Sequence, residues 1–224
     1  MDQALFDKLL SLPLFQGIGR GEFEEIMARI RLGVKKAPSR TVLVREGASC
    51  NSLFFIINGA VFSEQHSDKR NYSLLEWFEA PFVLQPESLF GLTTRYTRTF
   101  TAVTAVYYIE VDKRSIGDIL FNYPTFRFNY LNLLSKQAQQ TGRRLWQSIP
   151  LTDNAKFIHF LTCRIAHPAG RKELHISMSE LAQELQISRQ RISQMLRALE
   201  GKGELMLGRE KIEIPAFERL LQTV

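Results

Sequence analysis

The spacing of hydrophobic residues changes twice along the chain. In the first forty residues it is helical, as in Leu5, Leu9, Leu10 and Leu12 and then in Phe23, Ile26, Met27 and Ile30. From about Val34 to Val111 it shortens to two residues, so that Tyr107, Ile109 and Val111 share one strand face. Turn residues such as Asn58-Gly59 separate these short apolar segments. The pattern predicts two N-terminal helices followed by a β-sandwich or β-roll.

The helical period returns after Asn122-Tyr123-Pro124 and predicts one long helix from about Thr125 to Gln147. Its apolar and small residues are spaced alternately by three and four positions, which is the heptad seam of a coiled coil. The seam consists of Phe128, Leu131, Leu134, Ala138, Thr141 and Leu145. Either two such helices pair in a dimer, or the helix packs on its own β-domain. We favour the dimer, because Ala138 and Thr141 would let two helix backbones approach closely.

These changes of period divide the chain into three parts. We predict an α+β protein whose N-terminal β-domain occupies residues 1–121. A dimerisation helix and hinge follow over residues 122–149, with the hinge at Ser148-Ile149-Pro150. A C-terminal winged helix-turn-helix occupies residues 150–224. The net charge of +6 belongs to the C-terminal part, since residues 1–125 hold 14 basic and 14 acidic side chains. An excess of positive charge confined to one part of the chain is typical of a domain that binds a polyanion.

The stretch SMSELAQELQISRQRISQMLRALEGKG (177–203) has the pattern of two helices joined by a tight turn. Ser177 and Ser188 stand where each helix would need an N-cap. In the second helix Ile192, Leu196 and Leu199 form a buried stripe. The opposite face contains no acid and consists of Arg189, Gln190, Ser193, Gln194 and Arg197. Arg can contact guanine and Gln can contact adenine through paired hydrogen bonds, so this face is suited to the major groove of DNA.

Basic residues around that face would contact phosphates. Arg191 lies in the same helix, and Ser188 stands at its start. After it, residues 204–207 and 211–214 predict a β-hairpin with Arg209 and Lys211 at its tip, which would form a wing over the DNA backbone. We therefore predict nine DNA-binding residues: Ser188, Arg189, Gln190, Arg191, Ser193, Gln194, Arg197, Arg209 and Lys211. The other interpretation of this segment is an ordinary helical hairpin in a small α-domain.

These motifs resemble the family of the cAMP receptor protein and the fumarate and nitrate reductase regulator. ISRQRISQMLRALEGKG is similar to the family's recognition helix, S-R-E-T-V-x-R-x-L-x-x-L-E, with Gln190 and Gln194 in place of Glu and the second Arg. VREGASCNSLFFIINGAVF resembles the family's x-x-E-G-x-x-x-x-x-L-x-F-I-x-x-G-x-V. Gln186 replaces the Gly that is common in the turn, so we expect a residue with positive φ there. The resemblance implies that the β-domain of residues 1–121 is a double-stranded β-helix, like the family's cyclic-nucleotide-binding domain. It also implies a dimeric, sequence-specific transcription regulator in the cytoplasm, with RNA polymerase as a further candidate partner.

The family's cyclic-nucleotide cassette is F-G-E followed by R-S/T-A, and it aligns with LFGLTTRYTRTFTAV (89–103). Here Phe90-Gly91 is kept, but Leu92 replaces the Glu that accepts from the ribose hydroxyl. Tyr96-Thr97 stands where Arg-Ser would be, while Arg95 and Arg98 lie one position to either side. The candidate effector pocket therefore consists of Phe90, Gly91, Leu92, Arg95, Tyr96, Thr97 and Arg98. This departure argues against cAMP as the effector; a regulator that responds to cAMP or another small anion is the alternative.

Other cofactors find little support in the sequence. The chain has no cysteine before Cys50, which argues against the N-terminal iron–sulfur cluster of related redox sensors. We interpret His66 as a solvated turn residue rather than a haem ligand, and Cys163 as a core residue. A thiol switch at Cys50 stays open.

Two functions of other classes are alternatives to the transcription regulator. A cupin-like metal enzyme would need two or three histidines and a carboxylate in the β-region. The four histidines are His66, His159, His167 and His175, of which only the first lies there, so we predict neither a metal site nor catalysis. A ligand-binding module that uses its helix-turn-helix for protein contacts is the second alternative. No apolar run is long enough for a membrane helix, and the start of the chain lacks the pattern of a signal peptide.

Overall fold

A computed structural model of the protein describes residues 3–30, 33–148 and 150–223. The chain divides into two compact units. The first contains the residues up to Val61 and Glu79–Leu145, and the second contains Phe62–Phe78 and the residues from Trp146 onward. Residues 62–78, which we call the inserted hairpin, therefore group with the C-terminal unit, although the sequence prediction placed them in the sensor domain. The predicted domain bounds stay a prediction.

The first unit is a β-roll flanked by helices, in agreement with the fold class predicted from the sequence. Its helices are α1 (Gln3–Leu10), α2 (Arg20–Ile30), α3 (Lys113–Asp118) and α4 (Pro124–Leu145). Its strands are β1 (Val34–Ala37), β2 (Val42–Val44), β3 (Ser52–Asn58), β6 (Phe82–Val83), β7 (Thr99–Ala102) and β8 (Val106–Asp112), with the first residues of β4 (Ala60–His66). One sheet has the order β1-β8-β3-β6, and β2 pairs with β7.

An aromatic cluster forms the centre of this unit. The ring of Phe15 lies 5.2 Å from that of Phe55, 5.4 Å from Phe126 and 5.6 Å from Phe23, measured between centroids. All four rings are buried, and together they join the N-terminal helices to β3 and to the start of α4. The predicted turn at Gly59 is confirmed: φ is +96° there, and a Cβ would lie 2.5 Å from the carbonyl oxygen of Ala105.

The second unit is a winged helix-turn-helix with an additional strand. Its helices are α5 (Asp153–Thr162), α6 (Met178–Leu185), α7 (Arg189–Gly201) and α8 (Phe217–Leu221). Its strands are β9 (Lys172–His175), β10 (Met206–Gly208), β11 (Lys211–Ile214) and β5 (Ser73–Glu79) from the inserted hairpin. They are ordered β10-β11-β9-β5, and the register pairs Leu74 with Leu174. The sequence prediction found the wing and both helices but missed β9 and its pairing with β5.

The two cysteines lie in surroundings that differ from each other and bear on what the sequence predicts for them. Cys163 was expected in the core, but it follows the last residue of α5 and is exposed. Leu161 and Ile165 are buried on either side of it, and Cys163 lies between them on the outer side of the chain. Cys50, at which the sequence leaves a thiol switch open, precedes β3 and is fully buried.

Candidate nucleic-acid interface and effector pocket

The helix-turn-helix geometry follows from its caps and its turn. Ser177 accepts a hydrogen bond from the backbone N–H of Glu180, and Ser188 accepts one from that of Arg191. Between the helices Gln186 adopts φ 55° and ψ 43°, so the expected left-handed residue is present. Ile192, Leu196 and Leu199 are buried against the rest of the unit, as their spacing predicted. This packing fixes which side of α7 is available to a partner.

The outer face of α7 consists of the residues that the sequence assigned to it. Arg189, Gln190, Gln194 and Arg197 are exposed and Ser193 is half-buried. Glu200, the single acid of α7, accepts a hydrogen bond of 2.9 Å from the backbone N–H of Leu207 in β10. The face therefore offers guanidinium and carboxamide donors without a carboxylate among its five residues.

Arg191 differs from its neighbours in the predicted DNA-binding set. Its Nε and Nη2 lie 2.8 Å and 2.7 Å from the two carboxylate oxygens of Asp153, the first residue of α5. A paired arginine–carboxylate contact of this kind fixes both side chains in orientation. In this structure Arg191 anchors α7 to α5, while its side chain remains partly exposed.

The two basic residues predicted at the wing have different surroundings. Arg209 is exposed in the turn between β10 and β11. Lys211 lies 2.9 Å from Glu173 and 3.4 Å from Glu213, and its hydrogen bond to Glu173 raises the pKa of the ammonium above its ordinary value. Burial would raise the pKa of Glu173, but hydrogen bonds from His175 and Lys211 outweigh it and lower that pKa. Lys211 is therefore part of an ion-pair network on the surface of the sheet.

The inserted hairpin is joined to the winged helix by a buried ion pair. Nζ of Lys172 lies 3.4 Å from the carboxylate of Glu76, and both side chains have an exposed fraction of 0%. The Glu76 carboxylate also accepts hydrogen bonds from the backbone N–H groups of Ala166 and His167, and Lys172 donates one of 2.7 Å to the carbonyl of Ala169. Buried charges need such complete pairing. The hairpin is therefore integral to the second unit.

In the first unit, the residues of the expected effector pocket do not converge on one point. Leu92 is fully exposed and Gly91 is exposed, with φ +109°. Phe90 packs on Phe121, 5.6 Å away, and Nζ of Lys113 lies 4.9 Å from the centre of its ring. Nη1 of Arg95 donates a hydrogen bond of 2.6 Å to the carbonyl of Gly47. Phe90 thus has a packing role here, while Gly91 supplies the positive φ of the turn.

Gln85 occupies the position where the loop could hold an anion. This residue is buried, and its Oε1 accepts hydrogen bonds from the backbone N–H groups of Thr97 at 3.1 Å and Arg98 at 3.2 Å. Its Nε2 donates to the hydroxyl of Thr97 at 2.7 Å. Consecutive backbone N–H groups are the usual feature of a phosphate-binding loop. Here the carboxamide of Gln85 already uses them.

Tyr96 stands at the position of the family's arginine and points into the protein. Its side chain is buried, and its hydroxyl donates to the carbonyl of Ser52 at 3.0 Å. Burial, together with a hydrogen bond to Cys50, raises the pKa of Tyr96 well above its ordinary range. Burial also raises the pKa of the Cys50 thiol. Both groups are therefore neutral near pH 7 and offer no charge to an anion.

The predicted seam of α4 is exposed in the single chain. Phe128 has an exposed fraction of 59% and Leu131 of 50%, Ala138 and Thr141 are exposed, and Leu134 is half-buried. The side chain of Leu145 lies outside the described residues. Phe126 and Tyr130 are buried on the opposite face. A helix with apolar residues on two faces has one face left for a further partner.

Sequence reasoning missed three residues that shape these sites: Gln85, Glu76 and Lys172. Glu76 carried a signal, because it lies two residues after Leu74 and shares its inward face of β5, so an acid there needs a buried partner. The sequence around Gln85 carried no comparable signal. Among the described residues, no group of three or more His, Cys, Asp or Glu side chains is arranged to hold a metal ion. None of the described helices combines the length and the hydropathy required to cross a bilayer.

Comparisons with known proteins agree with this architecture. Residues 155–223 match the Crp-like helix-turn-helix domain. The fold is similar to the catabolite activator protein of Thermus thermophilus, at 16% identity over 94% of this chain and 96% of the other, with a TM-score of 0.51. It is also similar to the c-di-GMP-responsive global regulator CLP of Xanthomonas campestris, at 20% identity over 88% and 99% of the two chains and a TM-score of 0.51. No curated protein sequence matches the chain.

The β-roll is matched separately as well. The sensor domain of the transcriptional regulator DNR from Pseudomonas aeruginosa aligns with 65% of this chain and 94% of its own, at 18% identity and a TM-score of 0.51. At these identities the solved structures establish the fold alone. The match over residues 155–223 confirms the resemblance of the recognition-helix motif to a Crp-like helix-turn-helix domain.

Proposed function

We propose that this chain, which has the fold of the Crp/Fnr-type regulators and a Crp-like helix-turn-helix domain, is a dimeric, sequence-specific DNA-binding transcription regulator. The observation that carries the proposal is the acid-free, exposed outer face of α7, fixed by the Ser188 cap and by the buried stripe behind it. Such a helix presents its N-terminal residues to base edges in the major groove. The proposal includes RNA polymerase as a partner and no catalytic activity.

Each side chain of this interface has a separate role in the proposal. Arg189 and Arg197 are suited to guanine or phosphate, and Gln190 and Gln194 to adenine. Ser193 supports the same face, and Ser188 fixes the start of the helix. Arg191 acts as a positioning residue through Asp153, and Arg209 contacts phosphate from the wing. Lys211 contributes positive charge from within the ion-pair network of the sheet.

Dimerisation rests on the exposed seam of α4. Two copies would bury Phe128 and Leu131 against each other, and the small residues Ala138 and Thr141 further along would allow close contact. A two-fold dimer places its recognition helices at half-sites about 34 Å apart, so a palindromic DNA site is expected.

We further propose that cAMP is not the effector and that the protein acts without a bound cofactor. The observations in favour are the exposed Leu92, which cannot hold a ribose hydroxyl, and the carboxamide of Gln85 on the amides of Thr97 and Arg98. The absence of a cysteine before Cys50 removes the ligands of an N-terminal iron–sulfur cluster. A response to a different small anion is the alternative, and it would require Gln85 to move.

Selection from a random DNA library tests sequence-specific binding. The wild-type protein should enrich a palindromic motif, and the double variant Arg189→Ala with Gln194→Ala should lose that motif. A control variant, Gln16→Ala with Arg20→Ala, removes the same two side-chain types from exposed positions in the first unit and should select the wild-type motif. Failure of the wild type to enrich any motif would refute the proposal and favour a protein-binding helix-turn-helix.

Light scattering of the eluted protein tests the dimer. Leu131→Glu places a charge within the apolar part of the seam and should give a monomer. Asn132→Glu places the same charge at the adjacent exposed position outside the seam and should leave the dimer intact. A monomeric wild type, or a dimer that persists in Leu131→Glu, would exclude this interface.

A further inference from the structure

The tip of the inserted hairpin and the tip of the wing lie at the same end of one sheet. The register pairs Ser73 of β5 with His175 of β9, and His175 with Lys211 of β11. The hairpin turn (67–72) precedes Ser73, and the wing turn (209–210) precedes Lys211. Neighbouring strands of a sheet are about 4.8 Å apart, and β9 lies between β5 and β11, so these two strands are about 10 Å apart. The two turns are therefore close enough to contact one extended ligand.

The surface between the two turns is positively charged. It forms a cleft of about 490 Å³ within the second unit. Arg70 contributes its charge from the hairpin and Arg209 from the wing. Lys211, His66 and His175 line the same cleft, and of these Lys211 and His175 both contact Glu173 beside it. The one carboxylate of its lining is Glu210, while Ser177 at the start of α6 supplies a hydroxyl. An open surface of this composition is suited to phosphate groups.

Contacts at the base of the turn hold the hairpin tip in place. Asn71 donates a hydrogen bond to the carboxylate of Glu180 on α6. The hydroxyl of Tyr72 accepts a hydrogen bond of 2.8 Å from Arg164, which also pairs with Glu184 at 2.8 Å. These bonds join the tip to the first helix of the helix-turn-helix. The position of Arg70 relative to that helix is therefore set before any ligand binds, which lowers the entropic cost of binding.

We infer that the tip of the inserted hairpin is a second phosphate-contacting element, in which Arg70 and the wing residue Arg209 bind the DNA backbone beside the site read by α7. This inference rests on the proposed function, since it requires DNA to lie along α7. A linear polyanion fits this arrangement, because the basic side chains follow one another across the end of the sheet, from the hairpin turn to the wing turn. Contacts of this kind strengthen binding to every sequence and carry no base preference.

The salt dependence of DNA binding tests the inference. The affinity of full-length Arg70→Ala and of the wild type is measured against sodium chloride, on the selected duplex and on a duplex of random sequence. A single lost phosphate contact lowers the slope of log K against log salt by about 0.9 in magnitude. We expect this change on both duplexes, with the base preference of the protein unaltered. Arg70→Lys keeps the charge and should keep the wild-type slope.

Arg40→Ala is a matched control in the first unit. Arg40 and Arg70 are both exposed arginines with positive φ, at 67° and 54°. The two variants therefore remove the same charge and leave an alanine at the same kind of backbone conformation. The inference is overturned if Arg70→Ala has the slope and affinity of Arg40→Ala, or if its affinity falls on the selected duplex alone. A wild type that selects no motif would instead refute the proposed function, and the random duplex would still report on Arg70.

Discussion

The side-chain amide of Gln85 makes two hydrogen bonds to Thr97: its oxygen accepts one from the backbone N–H, and its nitrogen donates one to the side-chain hydroxyl. The same oxygen accepts from the N–H of Arg98. These are the donors that an anion in this loop would use. An internal side chain therefore satisfies the loop in the absence of a ligand.

Gln85→Ala should destabilise the first unit and uncover these donors. Removing the carboxamide leaves two backbone N–H groups without their partner, at a cost of about 1–3 kcal/mol in the free energy of unfolding. We expect inorganic phosphate to recover part of this loss in thermal unfolding of the variant, because it can bind the uncovered amides. The wild-type protein should gain nothing from phosphate or from cAMP.

Gln16→Ala is the control for this variant, since Gln16 is exposed and its loss should leave the melting temperature unchanged. A rise in the melting temperature of the wild-type protein with cAMP would show that the ligand displaces the Gln85 side chain. It would contradict our proposal that cAMP is not the effector.

The recognition helix could be predicted from the sequence, whereas the closed loop and the inserted hairpin could not. Ser188, Ile192, Leu196 and Leu199 lie within twelve residues, and a cap and a helical stripe are local features. Gln85 acts on residues twelve and thirteen positions away through side-chain geometry, which no periodicity records. β5 pairs with a strand about a hundred residues later, and a sequence pattern does not specify the partner of a strand.

Breaking the ion pair of Glu76 and Lys172 should unfold the second unit at lower denaturant concentration. Lys172→Met leaves the carboxylate of Glu76 buried without its counter-charge, which costs about 3–5 kcal/mol. The double variant Glu76→Leu with Lys172→Met removes both charges and should recover much of that loss. Urea unfolding followed by circular dichroism measures each free energy.

Lys35→Met is the control for the buried pair, because Lys35 forms a pair of 2.7 Å with Glu110 in which its own side chain is 56% exposed. A pair of this kind contributes about 1 kcal/mol or less. Equal losses for Lys35→Met and Lys172→Met would show that the hairpin is not held by its buried charges.

Gln186→Gly should stabilise the second unit. A left-handed conformation costs an L-residue about 1–2 kcal/mol that glycine does not incur, although glycine gives part of this back through its more flexible unfolded state. Gln183→Gly, three residues earlier and exposed within α6, should instead destabilise by about 1 kcal/mol. Thermal unfolding distinguishes the two, and a loss of stability in both would mean that Gln186 makes a contact worth more than its strain.

The two cysteines should differ sharply in their reaction with a thiol reagent. Cys163 is exposed, with its sulfur 3.5 Å from Nε2 of His159, so it should react at once in the native protein. Cys50 is buried and burial raises its pKa, so both access and thiolate formation are suppressed. We expect one equivalent of thiol to react fast, and a second to react only as the first unit unfolds.

The slow reaction of Cys50 should become faster at alkaline pH, because the first unit becomes less stable there. Because the pKa of Cys50 is raised in the folded state, its stabilising contribution is complete below the pKa of the free thiol, at about 8.5, and is lost as the pH rises above it. Tyr96, whose pKa is also raised, adds to this loss at higher pH. Cys163→Ser should remove the fast phase and leave the slow phase with its pH dependence. A fast phase that persists in Cys163→Ser would show that Cys50 is accessible, and would reopen a redox role for it.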